Sequence, residues 1–79
     1  MVKVILPELG EGIKEATICY WHASEGKSVK RDEDLVEIAT DKATFNVPAP
    51  SSGVIRKIFH KDGDIVKVGG LIAEIDEKD

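Results

Sequence analysis

The stretch Thr40-Asp41-Lys42-Ala43-Thr44 lies between two strand-like runs and decides the fold of this chain. The upstream run, residues 35–39 (LVEIA), and the downstream run, residues 44–47 (TFNV), are rich in β-branched and aromatic residues that suit a pleated surface. Between them, Asp41 is a residue that readily hydrogen-bonds its own backbone in a turn. The sequence therefore predicts a β-hairpin with the Lys42 amine at its tip, where a lysine adds little stability and is accessible to modification.

The composition describes one small acidic domain. The chain has 79 residues, with 11 Lys and Arg against 15 Asp and Glu, a formal charge of −4. A chain of this length buries only roughly 60–65% of its unfolded surface. The acidic balance argues against nucleic-acid or acidic-membrane surfaces, which need a basic stripe. No segment approaches the ~20 apolar residues of a membrane span, and the apolar run near the N-terminus is too short for a signal peptide. We therefore expect a soluble intracellular domain.

Cysteine and histidine usage argues against disulfide and metal chemistry. Cys19 is the only cysteine, so neither an intrachain disulfide nor a multi-cysteine metal site can form. We expect it in a strand as a small hydrophobe. His22 and His60 lack a third ligand at metal spacing, so no metal site is expected. Trp21, the only tryptophan, is expected to have a core role.

The chain contains an internal repeat. Residues 25–30 (EGKSVK) resemble residues 62–67 (DGDIVK), and the starting numbers 62 and 25 differ by 37. Each copy reads strand, acidic-glycine turn, short strand, second turn and strand, which predicts an all-β sandwich or barrel with approximate two-fold symmetry. The same offset carries Asp41 and Lys42 onto the chain end, which predicts that both chain ends lie at the pole opposite Lys42. The offset also matches four apolar positions that we assign to the core: Val29, Ile38, Val66 and Ile75.

The repeat and its flanking motifs resemble a known family. Residues 6–13 (LPELGEGI), Trp21 before the Glu25-Gly26 turn, and residues 36–43 (VEIATDKA) followed by 47–50 (VPAP) are similar to a lipoyl domain of the dihydrolipoyl acyltransferase component of 2-oxo acid dehydrogenase complexes. The resemblance covers essentially the whole chain. It implies a flattened β-barrel of two four-stranded antiparallel sheets, the biotinyl/lipoyl carrier fold.

The resemblance also implies a chemical role for the hairpin. Lys42 would carry lipoic acid as an amide, N6-lipoyllysine, and Asp41 and Ala43 would help a lipoate ligase or octanoyl/lipoyl transferase recognise it. The lipoyl arm would be reductively acylated at a thiamine-diphosphate 2-oxo acid decarboxylase, deliver its acyl group at the acyltransferase core, and be reoxidised by dihydrolipoyl dehydrogenase. The domain itself would catalyse none of these steps, and the isolated domain is expected to be a monomer. The protein is expected in the cytoplasm of a bacterium or archaeon, or in the mitochondrial matrix of a eukaryote.

Partner recognition is assigned to two places in the sequence. In the family, the loop containing Gly10, Glu11 and Gly12 lies near the modified hairpin and helps the decarboxylase recognise its carrier, although glycines also suit any tight surface loop. Glu37 belongs to an acidic group with Glu33, Asp34 and Asp41; a solvated face is the first interpretation of this group, and partner docking is the second.

Other functions and boundaries stay open from the sequence. A biotinyl carrier usually flanks its lysine with methionines, and Met1 is the only methionine here. A glycine-cleavage carrier or an unmodified structural barrel are the remaining alternatives. Gly10-Glu11-Gly12 favours a pyruvate or branched-chain complex, whereas residues 16–18, 21–22 and 31–33 favour the 2-oxoglutarate type. The lipoyl domain is predicted over residues 1–76, with 77–79 beginning a polar linker.

Overall fold

Eight antiparallel strands build the domain in a computed structural model that describes residues 1–77. The strands are short because turn-forming residues interrupt the apolar runs every few positions. Within residues 1–77 there is no helix, and therefore none long and apolar enough to cross a membrane. The strands are β1 (Val2–Ile5), β2 (Glu15–Trp21), β3 (Ser28–Val29), β4 (Asp34–Ala39), β5 (Thr44–Pro48), β6 (Gly53–Ile58), β7 (Ile65–Lys67) and β8 (Leu71–Glu77).

The strands form two four-stranded sheets that exchange strands between the two halves of the chain. One sheet has the order β1-β8-β6-β3 and the other has the order β5-β4-β2-β7. The first half of the chain, β1 to β4, thus supplies two strands to each sheet, and the second half does the same. This arrangement confirms the all-β prediction and the predicted pair of four-stranded antiparallel sheets.

The internal repeat appears in the structure as matched backbone hydrogen bonds. The amide of Gly26 donates to the carbonyl of Ile55, and the amide of Gly63 donates to that of Ile18, each at 2.7 Å. Both glycines have positive φ, +87° and +93°, which favours glycine at the two equivalent turns. Donor and acceptor come from opposite copies in each case, so the two turns fasten one half of the chain to the other.

The core lies between the sheets and is built from inward-facing Ile, Leu and Val. The predicted core positions are confirmed: Ile38 and Ile75 are 0% exposed, Val66 is 3% exposed and Val29 is 4% exposed. Burial of apolar surface of this kind is the main favourable term in folding. The remaining buried apolar residues are Val4, Leu6, Ala16, Ile18, Ala23, Leu35, Val36, Val47, Ala49, Ile55, Ile72 and Ala73.

Two residues assigned from sequence lie at the margin of this core. Trp21 is half-buried and packs against the core, and its indole N–H donates to the carbonyl of His60 at 2.9 Å. Cys19 lies in β2, as expected, but it is exposed and is not a packed hydrophobe. The register of β2 against β4 shifts between Ile18 and Tyr20, and this irregularity interrupts the alternation of inward and outward side chains.

The strand directions separate the chain ends from the β4–β5 hairpin. The amide of Val68 donates to the carbonyl of Lys14, just before β2, and β2 starts beside the hairpin because Thr17 is opposite Ala39. From there β8 runs away from the hairpin, and its partner β1 begins at the far end, where Val2 is opposite Ile75. β8 includes Glu77, one residue beyond the predicted domain boundary, whereas the predicted linker residues 78–79 lie outside the described residues.

Stability should reside in the core and not in the hairpin tip. Ile38→Ala should cost roughly 2–5 kcal/mol because it leaves a cavity between the sheets. Asp41→Ala should change stability by no more than about 0.5 kcal/mol, because the side chain is exposed. Urea melts of both variants provide the measurement, and a lower midpoint for Asp41→Ala than for Ile38→Ala would contradict this assignment.

Candidate functional site

The β4–β5 hairpin closes on a two-residue apex. Ala39 is opposite Thr44 in the ladder, and the amide of Thr40 donates to the carbonyl of Ala43 at 2.8 Å. Only Asp41 and Lys42 lie outside these closing residues, and both are exposed. The predicted hairpin is therefore confirmed, and the structure puts Lys42 at its tip.

Thr40 holds the backbone of the apex through its side chain. Its Oγ1 accepts from the amides of Lys42 and Ala43, each at 3.2 Å, and its hydroxyl also lies 3.1 Å from the carbonyl of Ala43, to which it can donate. Such local bonds from Thr to following amides are a known turn device. The sequence prediction gave this role to Asp41, but the structure gives it to Thr40. A Thr directly before the apex is the sequence signal that could have identified it.

The loop between β1 and β2 approaches the hairpin from the side. The amide of Ile13 donates to the carbonyl of Gly10 at 3.2 Å, which makes residues 10–13 a tight turn. Gly10 has φ +141° and Gly12 has φ +82°, backbone conformations that L side chains rarely adopt. A Cβ at Gly10 would also lie 3.5 Å from Ile13 Cδ1, so the turn folds closely over that side chain. Glycine at both positions thus has a local backbone reason.

A groove of about 430 Å³ separates this loop from the hairpin. Gly12 is part of its wall, so the structure brings one residue of the predicted Gly10-Glu11-Gly12 recognition loop beside Asp41 and Lys42. The sequence did not predict that the other groove residues would meet, because only the folded chain brings the start of β2 against the end of β4. The complete lining is Gly12, Ile13, Lys14, Glu15, Ala16, Thr17, Ala39, Thr40, Asp41 and Lys42.

Glu37, the other predicted recognition residue, lies away from the groove. It is half-buried in β4, opposite Asn46 of β5 and Tyr20 of β2. Glu33, Asp34 and Asp41 are exposed, in agreement with a solvated acidic face. The structure therefore does not join Glu37 to the loop in one surface beside Lys42.

The surroundings of Lys42 suit modification by another enzyme better than catalysis. Within residues 1–77 its ammonium makes no ion pair or side-chain hydrogen bond, and its side chain is exposed. A Schiff-base lysine needs a desolvated amine or a nearby cation, and an exposed apex supplies no desolvation. Across the same residues, no group of three or more His, Cys, Asp or Glu is arranged to hold a metal ion.

Comparisons with known proteins give this site a family context. A sequence family described as "Biotin-requiring enzyme", which includes biotin and lipoyl domains, matches residues 2–75. The succinyltransferase component of the Rickettsia conorii 2-oxoglutarate dehydrogenase complex is 53% identical over 76 residues, 96% of this chain and 19% of that protein. The acetyltransferase component of the Corynebacterium glutamicum pyruvate dehydrogenase complex is 46% identical over 76 residues, 96% of this chain and 11% of that protein.

A solved structure agrees with the sequence relatives. The solution structure of the lipoyl domain of the 2-oxoglutarate dehydrogenase complex from Azotobacter vinelandii matches with a TM-score of 0.79 and 38% identity, covering 98% of each chain. The chain therefore belongs to the biotinyl and lipoyl carrier family. Its relatives and structural neighbour group it with the lipoyl domains of dihydrolipoyl acyltransferases, as the sequence motifs predicted. It spans a fifth or less of the length of these curated relatives.

Removing the Thr40 hydroxyl should loosen the apex without unfolding the domain. In Thr40→Val the amides of Lys42 and Ala43 lose their acceptor, and a net cost of about 1 kcal/mol corresponds to roughly five-fold faster local exchange. Amide hydrogen exchange at these two residues provides the measurement. Thr44→Val, at an exposed position one residue after the turn, is the matched control. Unchanged exchange in Thr40→Val would show that the backbone hydrogen bonds hold the turn alone.

Proposed function

We propose that Lys42 is the lipoyl attachment site and that this domain is the swinging-arm carrier of a 2-oxo acid dehydrogenase complex. The observation that supports this proposal is the position of Lys42: exposed at the apex of a two-residue loop whose backbone is held by Thr40. A fixed, solvated amine on a rigid hairpin can enter the active site of a modifying enzyme without any local unfolding. The similarity to lipoyl domains supports lipoic acid as the group that this amine would receive.

Attachment is an amide-forming step in which this chain supplies only the nucleophile. After loss of a proton, Lys42 Nζ attacks the activated carboxyl of lipoate on the ligase, the new C–N bond forms, and the activating group leaves. Asp41 and Ala43 flank Lys42, and we propose that the ligase or octanoyl/lipoyl transferase recognises these two residues. The bound group supplies thiol-disulfide and acyl-transfer chemistry that this chain, with Cys19 alone, lacks.

The fold suits a tethered carrier because its two poles are separate. The hairpin occupies one end, and the strands that lead to the chain ends occupy the other, so a tether beyond residue 76 would leave the arm unobstructed. Tethering turns each delivery into an intramolecular encounter whose effective concentration depends on the linker. The predicted polar linker at residues 77–79 stays a prediction, and because Glu77 belongs to β8 we propose that the linker begins after that residue. The domain orients and carries the arm, and its partners perform the catalysis.

The partners follow from the same proposal. They are a thiamine-diphosphate 2-oxo acid decarboxylase, dihydrolipoyl dehydrogenase and the acyltransferase core. The 53% identity to a component of a 2-oxoglutarate dehydrogenase complex, against 46% to a pyruvate dehydrogenase component, favours 2-oxoglutarate as the substrate class. The bacterial relatives favour a cytoplasmic location over the mitochondrial matrix.

Lipoylation should depend on both the identity and the position of the lysine. Incubation with lipoate, ATP and lipoate ligase should add one lipoyl mass to the native domain and none to Lys42→Arg, as measured by intact mass and peptide mapping. The double variant Asp41→Lys/Lys42→Ala moves the amine by one residue and should be modified far more slowly, because a one-residue shift redirects a side chain in a hairpin.

Two outcomes would contradict the attachment site. Lipoate on any lysine other than Lys42 would reject the residue assignment. Equal rates for the native and the shifted lysine would show that exposure alone decides modification. Incubation with biotin, ATP and biotin ligase separates the alternative carrier class, since a biotinylated product would favour a biotinyl domain.

The substrate class should appear in reductive acylation. The lipoylated domain should be acylated by a bacterial 2-oxoglutarate decarboxylase with 2-oxoglutarate at least ten-fold faster than by a pyruvate decarboxylase component with pyruvate, measured as acyl mass per domain over time. Glu11→Gln tests the loop beside the hairpin, and Glu37→Gln serves as the comparison on the sheet. A preference for pyruvate would reject the 2-oxoglutarate assignment, and an effect of Glu37→Gln alone would move recognition from the loop to the sheet.

A further inference from the structure

The groove between the β1–β2 loop and the hairpin is not explained by the carrier function alone. An arm that only swings between distant active sites needs an exposed lysine and no adjoining depression. Here Lys42 is itself part of the wall of a groove of about 430 Å³. An arm attached to that lysine therefore begins at the edge of a recess in its own domain.

The lining of the groove includes apolar surface that suits an apolar chain. Ile13 is half-buried at the wall, so part of its side chain still faces water. Ala39, which is half-buried, contributes further apolar lining, and buried Ala16 lies beneath the groove. The lipoyl group is a hydrocarbon chain ending in a five-membered disulfide ring, and it carries no charge once it is joined through an amide. Folding this chain back along Ile13 removes apolar surface of both groups from water, which is favourable.

The charges of the lining distinguish between forms of the arm. Amide formation removes the positive charge of Lys42, which leaves Lys14 as the only cationic lining residue, against the carboxylates of Glu15 and Asp41. All three remaining ionisable side chains are exposed. An uncharged arm is neither attracted nor repelled by the net charge of these side chains. An acyl group that ends in a carboxylate would face two like charges and one opposite charge in this lining, a net repulsion that solvent and salt screen because the three side chains are exposed.

We propose that this groove is the resting seat of the uncharged lipoyl arm, and that an acyl group ending in a carboxylate releases the arm from it. The inference rests on lipoylation at Lys42. The groove shelters the oxidised arm between reaction cycles. Loading of a dicarboxylic acyl group, of which succinyl is an example, frees the arm for delivery, whereas acetyl loading leaves the seat occupied.

Nuclear magnetic resonance of the intact domain tests the seat. The 15N-labelled domain is lipoylated by ligase and checked by mass, and its amide shifts are compared with those of the unmodified domain. We expect shift changes at Gly12, Ile13 and Thr17 in addition to the hairpin, and nuclear Overhauser contacts between arm methylenes and the Ile13 methyl groups. Ile13→Ser should reduce the shift changes at Gly12 and Thr17 by at least half. Ile5→Ser, an exposed Ile of β1 outside the groove, should leave them unchanged.

A matched pair of acyl groups tests the release. In a Cys19→Ser background a water-soluble phosphine reduces the dithiolane of the arm to the dithiol and is itself oxidised to the phosphine oxide. One thiolate of the arm then attacks the thioester of S-acetyl- or S-succinyl-N-acetylcysteamine; the acyl group moves to the arm and N-acetylcysteamine leaves as the thiol. The acetyl arm should keep the groove shifts, and the succinyl arm should lose at least half of them. High salt should restore part of the succinyl signal, because screening shortens the range of repulsion to about 3 Å at 1 M.

The outcomes separate this inference from the carrier proposal. Absence of lipoyl mass would reject lipoylation at Lys42 itself. Full lipoylation with shift changes confined to residues 40–44 would reject the seat and leave the attachment site intact. A succinyl arm that keeps its groove contacts, with loss of those contacts in Lys14→Gln, would overturn the release and assign Lys14 as a carboxylate partner.

Discussion

The structure depends on one constraint: neither half of the chain can bury its apolar residues without the other. Each sheet takes two strands from the first half and two from the second, so the inward faces are completed only when both copies interlock. Ile38 and its repeat mate Ile75 are both 0% exposed in this shared core. Because most contacts in the described residues join distant parts of the chain, we expect one cooperative core and no independently stable subdomain.

Because the core lies between the sheets, the tip of the hairpin contributes little to the packing that stabilises the domain. The apex residues Asp41 and Lys42 are exposed, while Ile38, four residues before the lysine, is fully buried. Modification of this amine would therefore change charge and add mass at a point that is not packed against the core. The Thr40 hydroxyl holds the apex through local hydrogen bonds to the amides of Lys42 and Ala43, so the shape of the apex does not depend on core contacts. A carrier needs this combination of rigid attachment and energetic independence.

The folded chain also places a groove beside Lys42 that the sequence motif around this lysine does not predict. Ile13 and Lys14 come some 28 residues before the lysine, yet they share a groove with it. They meet because β2 starts beside the end of β4, with Thr17 opposite Ala39. The loop turn at residues 10–13, with positive φ at Gly10 and Gly12, directs Ile13 towards this groove. The acidic residue Glu37, which the sequence grouped with Asp41, instead lies on the sheet beside Tyr20 and Asn46.

The sequence by itself determined the elements whose signals are local or repeated. The β-branched and aromatic runs at residues 35–39 and 44–47 predicted the hairpin. The 37-residue offset identified Val29, Ile38, Val66 and Ile75 as core, because matched positions in a repeat have matched environments. Tertiary structure alone decided the rest. Cys19 follows buried Ile18 on the outward side of β2, the turn hydrogen bonds go to Thr40 in place of Asp41, and strand pairing forms the groove. The first two outcomes depend on the direction of single side chains, and the groove depends on contacts between residues far apart in the chain, which composition alone does not encode.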